Sequence, residues 1–376
     1  MKLTVFKKHF PLFLFCYHLI FAYVAWVYIL ENNGDAVRYW FVGQDLSEKS
    51  WLSFFQPGTD IIKLITFPLV KFLHLPFWSG FLLFSLFSYM GFYRLWKTIL
   101  ALTQHNTTAF LIGVLLLLLP NLHLWTSFIG KESLLFVVLV VMTEKVLQQH
   151  LQSKAFLASF LLIALIRPHV AFILLISSLL ALFWKGGLSR KAKGWLSGFA
   201  AFCLLGLYFV LKKIAFMGPH PWERMLHLYD VHIKVLRLRD AYVPLDRYPL
   251  PYKLFTFYFR PLPFEKTGWL YVIWSLENVI LLLLCGALFY RSVRSVKKMK
   301  CPLFEVFAVS AILLMGVMYV YAYANYGLIA RTKIMVMPFF YVLMVRGFSQ
   351  SGRRVRIKDG DDEMRADGVE AQSFLK

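Results

Sequence analysis

Uninterrupted apolar runs constrain this chain more than anything else in it. Phe110–Leu119, Leu134–Met142 and Val279–Leu288 carry no charge, and similar runs recur along most of the length. Of 376 residues, 59% are hydrophobic and 16% charged, against roughly 45–50% and about 25% in soluble domains. That excludes a soluble enzyme, a disordered chain and a disulfide-rich secreted module. Aromatic residues reach 18%, which suits helices that pack in lipid and anchor at its interfaces. The sequence reads as an all-α, polytopic transmembrane helix bundle.

A net charge of +21 would suggest nucleic acid in a soluble chain. Here Lys and Arg in cytoplasmic loops account for much of it, and no nucleic-acid partner is expected. Cys16, Cys203, Cys285 and Cys301 show no CxxC spacing, so neither a disulfide framework nor a zinc site is expected. Phe10–Leu30 is too long for a signal-peptide core and reads as the first span.

A span takes about 20 apolar residues, fewer where the helix is short or broken. Spans fall near 10–30, 77–93, 108–125, 133–148, 155–167, 169–184, 196–212, 268–290, 303–322 and 334–346. The segment Ile61–Pro76 contains Lys63, Pro68 and Lys71 and suits a re-entrant or interfacial helix. With both termini inside, Arg94/Lys97, Lys145/Lys154, Lys185–Lys193, Arg291–Lys300 and the basic tail all lie in the cytoplasm, as the positive-inside rule requires. A full crossing at 61–76 would reverse most of them. The expectation is therefore ten spans, N-in and C-in, in a transmembrane domain over 1–347. A disordered cytoplasmic tail follows over 348–376, its composition polar.

The long outer loop, 213–266, is basic, with Arg224, Lys234, Arg237, Arg239, Arg247, Lys253 and Arg260. Translocated loops of this length escape the sidedness bias, yet anion binding also explains the excess. Within it, Met225, Leu226, Tyr229, Ile233 and Leu236 give Trp222–Arg239 the spacing of an amphipathic surface helix.

In this topology the polar groups beside apolar runs converge on the outer side, and intramembrane charge tends to mark substrate paths. Asp35, in Gly34-Asp35-Ala36-Val37-Arg38-Tyr39, suits a helix N-cap and equally a carboxylate able to take a proton. Lys131 and Glu132, in a tight turn after Trp125-Thr126-Ser127, read as an exposed ion pair or as part of a site at the membrane boundary. Arg167-Pro168-His169 breaks a long apolar stretch; Arg167 either snorkels or binds phosphate through its planar fork. Arg260 and Glu265 flank a proline-rich connector, solvated or held rigidly at a helix mouth. Glu277 lies deep and is expected to pair structurally. In Asn325-Tyr326-Gly327 through Arg331 and Lys333, Arg331 is a candidate ligand, and snorkelling accounts for Lys333. No Walker loop, GxGxxG, HExxH or GxSxG occurs, which argues against an ATP-driven pump, a dinucleotide enzyme, a zinc protease and an α/β-hydrolase.

The order of these motifs resembles bacterial integral-membrane glycosyltransferases and polysaccharide polymerases that use polyprenyl-linked sugars, including type-C glycosyltransferases and O-antigen polymerases. Gly34-Asp35-Ala36-x-x-Tyr39 is similar to the first-loop acidic motif of type-C enzymes. Trp125-Thr126-Ser127, Gly130-Lys131-Glu132, Arg167-Pro168-His169, Arg260-Pro261 and Asn325-x-Gly327 with Arg331 resemble strings in polymerase-like proteins of polysaccharide clusters. The likeness covers nearly the whole transmembrane region. The chain departs from type-C enzymes in lacking an acidic pair in the first loop.

The resemblance implies an inverting transferase in the bacterial cytoplasmic (inner) membrane. Its partners would be a polyprenyl-linked sugar donor, a glycan or lipid-glycan acceptor, and membrane lipid. Asp35 would be the catalytic base; Arg38, Lys131, Glu132, Arg167, His169, Arg260, Glu265, Asn325 and Arg331 would bind substrate. No cofactor or metal ligand is assigned, with a divalent metal left open. A transporter or flippase of lipid-linked glycans is the alternative, although no internal repeat is visible. A membrane acyltransferase, resting on His169 or His123, is a third.

Overall fold

The turn that ends the first helix sets one end of the helix bundle. In the computed structural model, α1 runs Lys2–Asn32 and α2 Asp35–Asp45. Between them Asn33 (φ 57°) and Gly34 (φ 153°) adopt positive φ, which glycine tolerates best. The helix starts at Asp35 itself, the residue expected to cap it. The structure describes residues 2–45, 50–56, 58, 60–104, 106–184, 191, 194, 198, 205, 221–238, 241–294 and 303–349. The span expected near 196–212, most of Lys185–Lys193 and the tail beyond 349 lie almost wholly outside the described residues.

Helices follow throughout, and no strand occurs among the described residues. They are α3 (Ile61–Lys71), α4 (Phe77–Leu102), α5 (Thr107–Leu117), α6 (Pro120–Thr126), α7 (Lys131–Leu147), α8 (Lys154–Ile166) and α9 (Pro168–Trp184). Then come α10 (Pro221–Arg237), α11 (Leu250–Phe259), α12 (Trp269–Arg294), α13 (Leu303–Ala322), α14 (Tyr326–Thr332) and α15 (Met337–Ser349). Local chemistry sets several boundaries. Asn106 and Ser153 accept from the backbone N–H of Ala109 and Phe156 to cap α5 and α8. Pro120 opens α6, and Pro168 forces Arg167 out of helical geometry to φ −140°, as a residue before proline requires.

Among the described residues three helices are long and apolar enough to cross a membrane: Thr4–Asn32, Trp269–Val293 and Leu303–Ala322. The bent pairs α5–α6 (42°) and Tyr326–Met335 with α15 (65°) raise the number to five if each is one span. The expected spans at 155–167 and 169–184 appear as α8 and α9, apolar but only 13 and 17 residues long. At about 1.5 Å per residue each falls short of a ~30 Å hydrocarbon core. The segment expected to be interfacial forms the short α3, packed on α2, with the Thr66 hydroxyl donating to the Tyr39 carbonyl (2.7 Å).

The core runs through α4, α7, α13 and α15, with α1 against α4 and α9 against α13. Gly80 allows a close approach, since a Cβ there would meet the Trp40 and Ile129 side chains. Ion pairs gather at both ends. At one end Arg94 pairs with Glu144 and Arg346 with Glu305, while Ser349 and Asn106 tie α4, α5 and α15 together. The other end carries Asp35, Glu132, Arg167 and Arg331, joined to one another.

Candidate functional site

Glu132 is the centre of that end. It stands in the first turn of α7, 1% exposed, and two guanidinium groups from distant segments converge on it. Arg331 on α14 donates from Nε to Oε1 (2.8 Å) and from Nη2 to Oε2 (2.9 Å), a bidentate fork. Arg167, in the α8–α9 break, donates from Nη2 to Oε1 (2.8 Å) and from Nη1 to the Tyr319 hydroxyl (3.4 Å). Arg167 is 5% exposed, and its Nε has no partner among the described residues. A buried carboxylate of this kind persists only when paired and hydrogen-bonded.

Arg331 also reaches outward. Its Nη1 donates to Asp35 Oδ2 (2.9 Å), and the Asp35 side chain is 46% exposed against 20% for Arg331. A chain of charge thus runs from the surface to the interior: Asp35, Arg331, Glu132, Arg167. The Trp125 ring lies 6.0 Å from the Arg331 guanidinium, near enough for a cation–π contact. Tyr39 is buried beside the site, its hydroxyl unpartnered among the described residues.

A second cluster adjoins the first through α14. Arg260 donates from Nε to both carboxylate oxygens of Glu265 (2.8 and 3.0 Å). The Glu265 Oε2 also accepts from the backbone N–H of Leu262 and from the Tyr326 hydroxyl, each at 3.0 Å. The rings of Tyr248, Tyr252 and Tyr326 surround the guanidinium at 5.9, 5.5 and 5.9 Å. Burial alone would push the Arg260 pKa down; contact with Tyr248 and Glu265 outweighs it and holds the group above its ordinary value. Arg260 is therefore a fixed cation, half-buried.

The sequence-predicted residues fall into groups. Asp35, Glu132, Arg167 and Arg331 are brought together, with Lys131 half-buried beside Glu132 in the first turn of α7. Arg38 and His169 are exposed at the same end, with no hydrogen bond or ion pair to the cluster among the described residues. Arg260 and Glu265 form the adjoining pair. The Asn325 side chain caps α14, accepting from the backbone N–H of Gly327 and Leu328. Lys131 and Glu132 are not the exposed pair that one reading gave, because Glu132 is buried against arginines.

Lys333 was expected to snorkel. It is 4% exposed, donating to Asn278 Oδ1 (2.6 Å), because the chain turns inward after α14 instead of ending at an interface. Tyr319 escaped the sequence reading, since a tyrosine inside an apolar span carries no distinguishing signal. The long loop is stitched to the site as well. The backbone N–H groups of Tyr326 and Val243 donate to Ala241 (2.9 Å) and Ala324 (3.0 Å) across a single antiparallel bridge. Helix α10 packs Ile233 and Leu236 on Ala324, and an Arg237–Asp246–Tyr242 cluster pins its end. Burial would raise the Asp246 carboxyl pKa, but the Tyr242 hydroxyl and Arg237 hold it below the usual range.

Among the described residues no group of three or more His, Cys, Asp or Glu is arranged to hold a metal ion. The chemistry available is an exposed carboxylate positioned by an arginine, with further cations on the same end. Compared with known proteins, the chain matches no protein family, no curated protein and no solved structure.

Proposed function

We propose that the chain is a membrane glycosyltransferase or polysaccharide polymerase acting on polyprenyl-(di)phosphate-linked sugars at the outer face of the bacterial cytoplasmic membrane. The observation that carries this reading is Arg331, which holds the exposed Asp35 by one edge while the buried Glu132 grips the other. Asp35 Oδ1 has no hydrogen-bond partner among the described residues, so a lone pair remains for an incoming proton. In the proposed reaction an acceptor hydroxyl oxygen attacks the anomeric carbon and its proton passes to Asp35. The anomeric carbon–oxygen bond to phosphate breaks, and its electron pair leaves on the phosphate. Lys131, Arg38 and Arg260 neutralise that phosphate, while Arg167 acts indirectly by sharing Glu132 with Arg331. The activated lipid phosphate supplies the driving force. The ten-span, N-in and C-in arrangement belongs to this reading; the gathering of Asp35, Glu132, Arg167 and Arg331 at one end supports a shared side for these groups.

A transporter or flippase of lipid-linked glycans is the second reading. The observation favouring it is a polar chain inside the bundle, where His18 Nδ1 lies 2.9 Å from His123 Nδ1 and His18 Nε2 lies 2.8 Å from Ser88 Oγ. The two are separated by reconstituting the purified protein in nanodiscs with radiolabelled lipid-linked sugar and an acceptor glycan. New glycosidic product supports the enzyme. Lipid-linked sugar moved across proteoliposomes without product supports the transporter.

A further inference from the structure

Between α2 and α4 the chain turns its charges inward and its large apolar side chains outward. A 3₁₀ turn, Trp51–Phe54, lies against α3. Trp51 and Ile65 are exposed, and Leu52, Phe55, Phe72 and Leu73 more so, at 60–73%. The Trp51 ring meets Phe72 edge-on at 6.3 Å, and beneath it Phe54 packs on Phe67 at 5.5 Å. No Lys, Arg, Asp or Glu is exposed among the described residues of 51–76. Lys63 is buried and pairs with Asp60 (2.6 Å). Lys71, half-buried, and His74, exposed, stand together at the C-terminal end of α3, where a lysine can snorkel to headgroups.

The polar groups of the turn are satisfied from within. Trp51 Nε1 donates to the Leu64 carbonyl (2.7 Å), so its indole needs no water. The backbone N–H groups of Ser53, Phe55 and Gln56 donate to the carbonyls of Ser50, Leu52 and Phe54 (3.0, 3.0 and 2.8 Å). The Ser53 hydroxyl and the Gln56 amide turn back on the Ser50 and Ser53 carbonyls (2.6 and 3.2 Å). Water would pair such groups equally well; hydrocarbon cannot.

We propose that Trp51–Phe54 and α3 form a foot that lies in the plane of the membrane, its apolar side on the acyl chains of the leaflet at the Asp35 end. Lipid fits this surface better than a soluble partner does, because a docking face for a protein carries a polar, charged rim. The apolar surface also continues along the chain into α4, where Trp78 and then Leu83, Phe87 and Met90 are exposed at helical spacing. The foot is tied to both segments that build the charge cluster. It packs on α2, with the Thr66 hydroxyl on the Tyr39 carbonyl. The Gly58 N–H donates to the Leu165 carbonyl (2.7 Å), two residues before Arg167. Seating the foot therefore sets the depth of Asp35 and Arg167 relative to the headgroups, whatever reaction they serve. The proposal needs the membrane, not the transferase.

The test is fluorescence quenching on the full-length protein in nanodiscs of phosphatidylcholine and phosphatidylglycerol. The fluorophore NBD is attached at Leu52→Cys or Phe72→Cys in a background lacking Cys16, Cys203, Cys285 and Cys301. Lys154→Cys, exposed at the end of α8 away from Arg167, is the water-facing reference. Lipids spin-labelled high on the acyl chain should quench both foot positions about two- to threefold more than the reference, and aqueous iodide about two- to threefold less, as for side chains roughly 5–10 Å into the headgroup–acyl boundary. Iodide access equal to the reference overturns the proposal. So does protection from both quenchers, which would mean a protein cover, and so does stronger quenching by a label at the acyl-chain end, which would mean a deep re-entrant segment. Adding Leu52→Asp and Phe55→Asp to the Phe72→Cys chain should lift the turn out and raise iodide quenching about twofold. Unchanged quenching there would show that the fold, not lipid, shields Phe72, and would also overturn it.

Discussion

Arg331 and Glu132, 199 positions apart in sequence, form two parallel hydrogen bonds of 2.8 and 2.9 Å at the end of the bundle. The pairing joins the last third of the chain to the start of α7, and Arg167 completes it from a third segment. The exposed Asp35 is attached to this assembly and to no other group among the described residues.

Replacing Glu132 by Gln removes the one negative charge that both buried arginine contacts share. Breaking a buried pair from one side costs about 3–5 kcal/mol. Glu132→Gln is therefore expected to lower the midpoint of thermal unfolding in detergent markedly, far more than Glu31→Gln on the exposed end of α1. Equal midpoints would mean that the cluster adds nothing to the fold.

Arg331→Lys retains charge but loses the fork, and a lysine reaches only one of the two carboxylates. Lipid-linked product formation is expected to fall at least tenfold while the protein still inserts. Asp35 would then lack the partner that orients it. Unchanged turnover would detach Arg331 from the reaction.

Much of this arrangement was legible in the sequence, for a physical reason. Charges beside apolar runs are few and costly, so Asp35, Glu132, Arg167, Arg260 and Arg331 stand out in the sequence. Their partners did not stand out. Glu132 pairs with Arg331 across most of the chain and not with its neighbour Lys131, and adjacency in sequence suggested the wrong one. The same limit affected Lys333, whose inward turn depends on how α14 and α15 pack. The short helices α8 and α9 were legible as apolar stretches, whereas the 42° bend at Pro120 between α5 and α6 was read through as one straight span over 108–125.

Gly34 offers a test of how strictly Asp35 is aimed. Its φ of 153° disfavours any side chain, and a Cβ would approach Ile29 Cδ1 to 2.9 Å. Gly34→Ala is expected to cost about 1–3 kcal/mol and to lower product formation by more than that loss of folded protein explains. Quantitative blotting alongside turnover checks it. Full activity per folded molecule would show that the turn does not position the carboxylate.

Sidedness is checked by cysteine labelling in a background lacking Cys16, Cys203, Cys285 and Cys301. Phe264 and Lys154 are both exposed, at the opposite ends expected from the ten-span arrangement. Membrane-impermeant maleimide should label Phe264→Cys in intact cells and Lys154→Cys only after lysis. Labelling of both from the same side contradicts the N-in, C-in arrangement.

Asp35→Asn tests the central claim most directly. The amide oxygen still accepts from Arg331 and the residue still suits a helix start, so thermal stability should change by no more than about 1 kcal/mol. What asparagine cannot do is take the acceptor's proton, a contribution of about 10²–10⁴ in rate. The measurement is turnover of radiolabelled lipid-linked sugar into glycan by purified wild type and Asp35→Asn in nanodiscs, with donor-lipid binding followed on the same samples. The account predicts a loss of product of at least a hundredfold with binding retained. Product at near wild-type rate would contradict it and return Asp35 to a structural role.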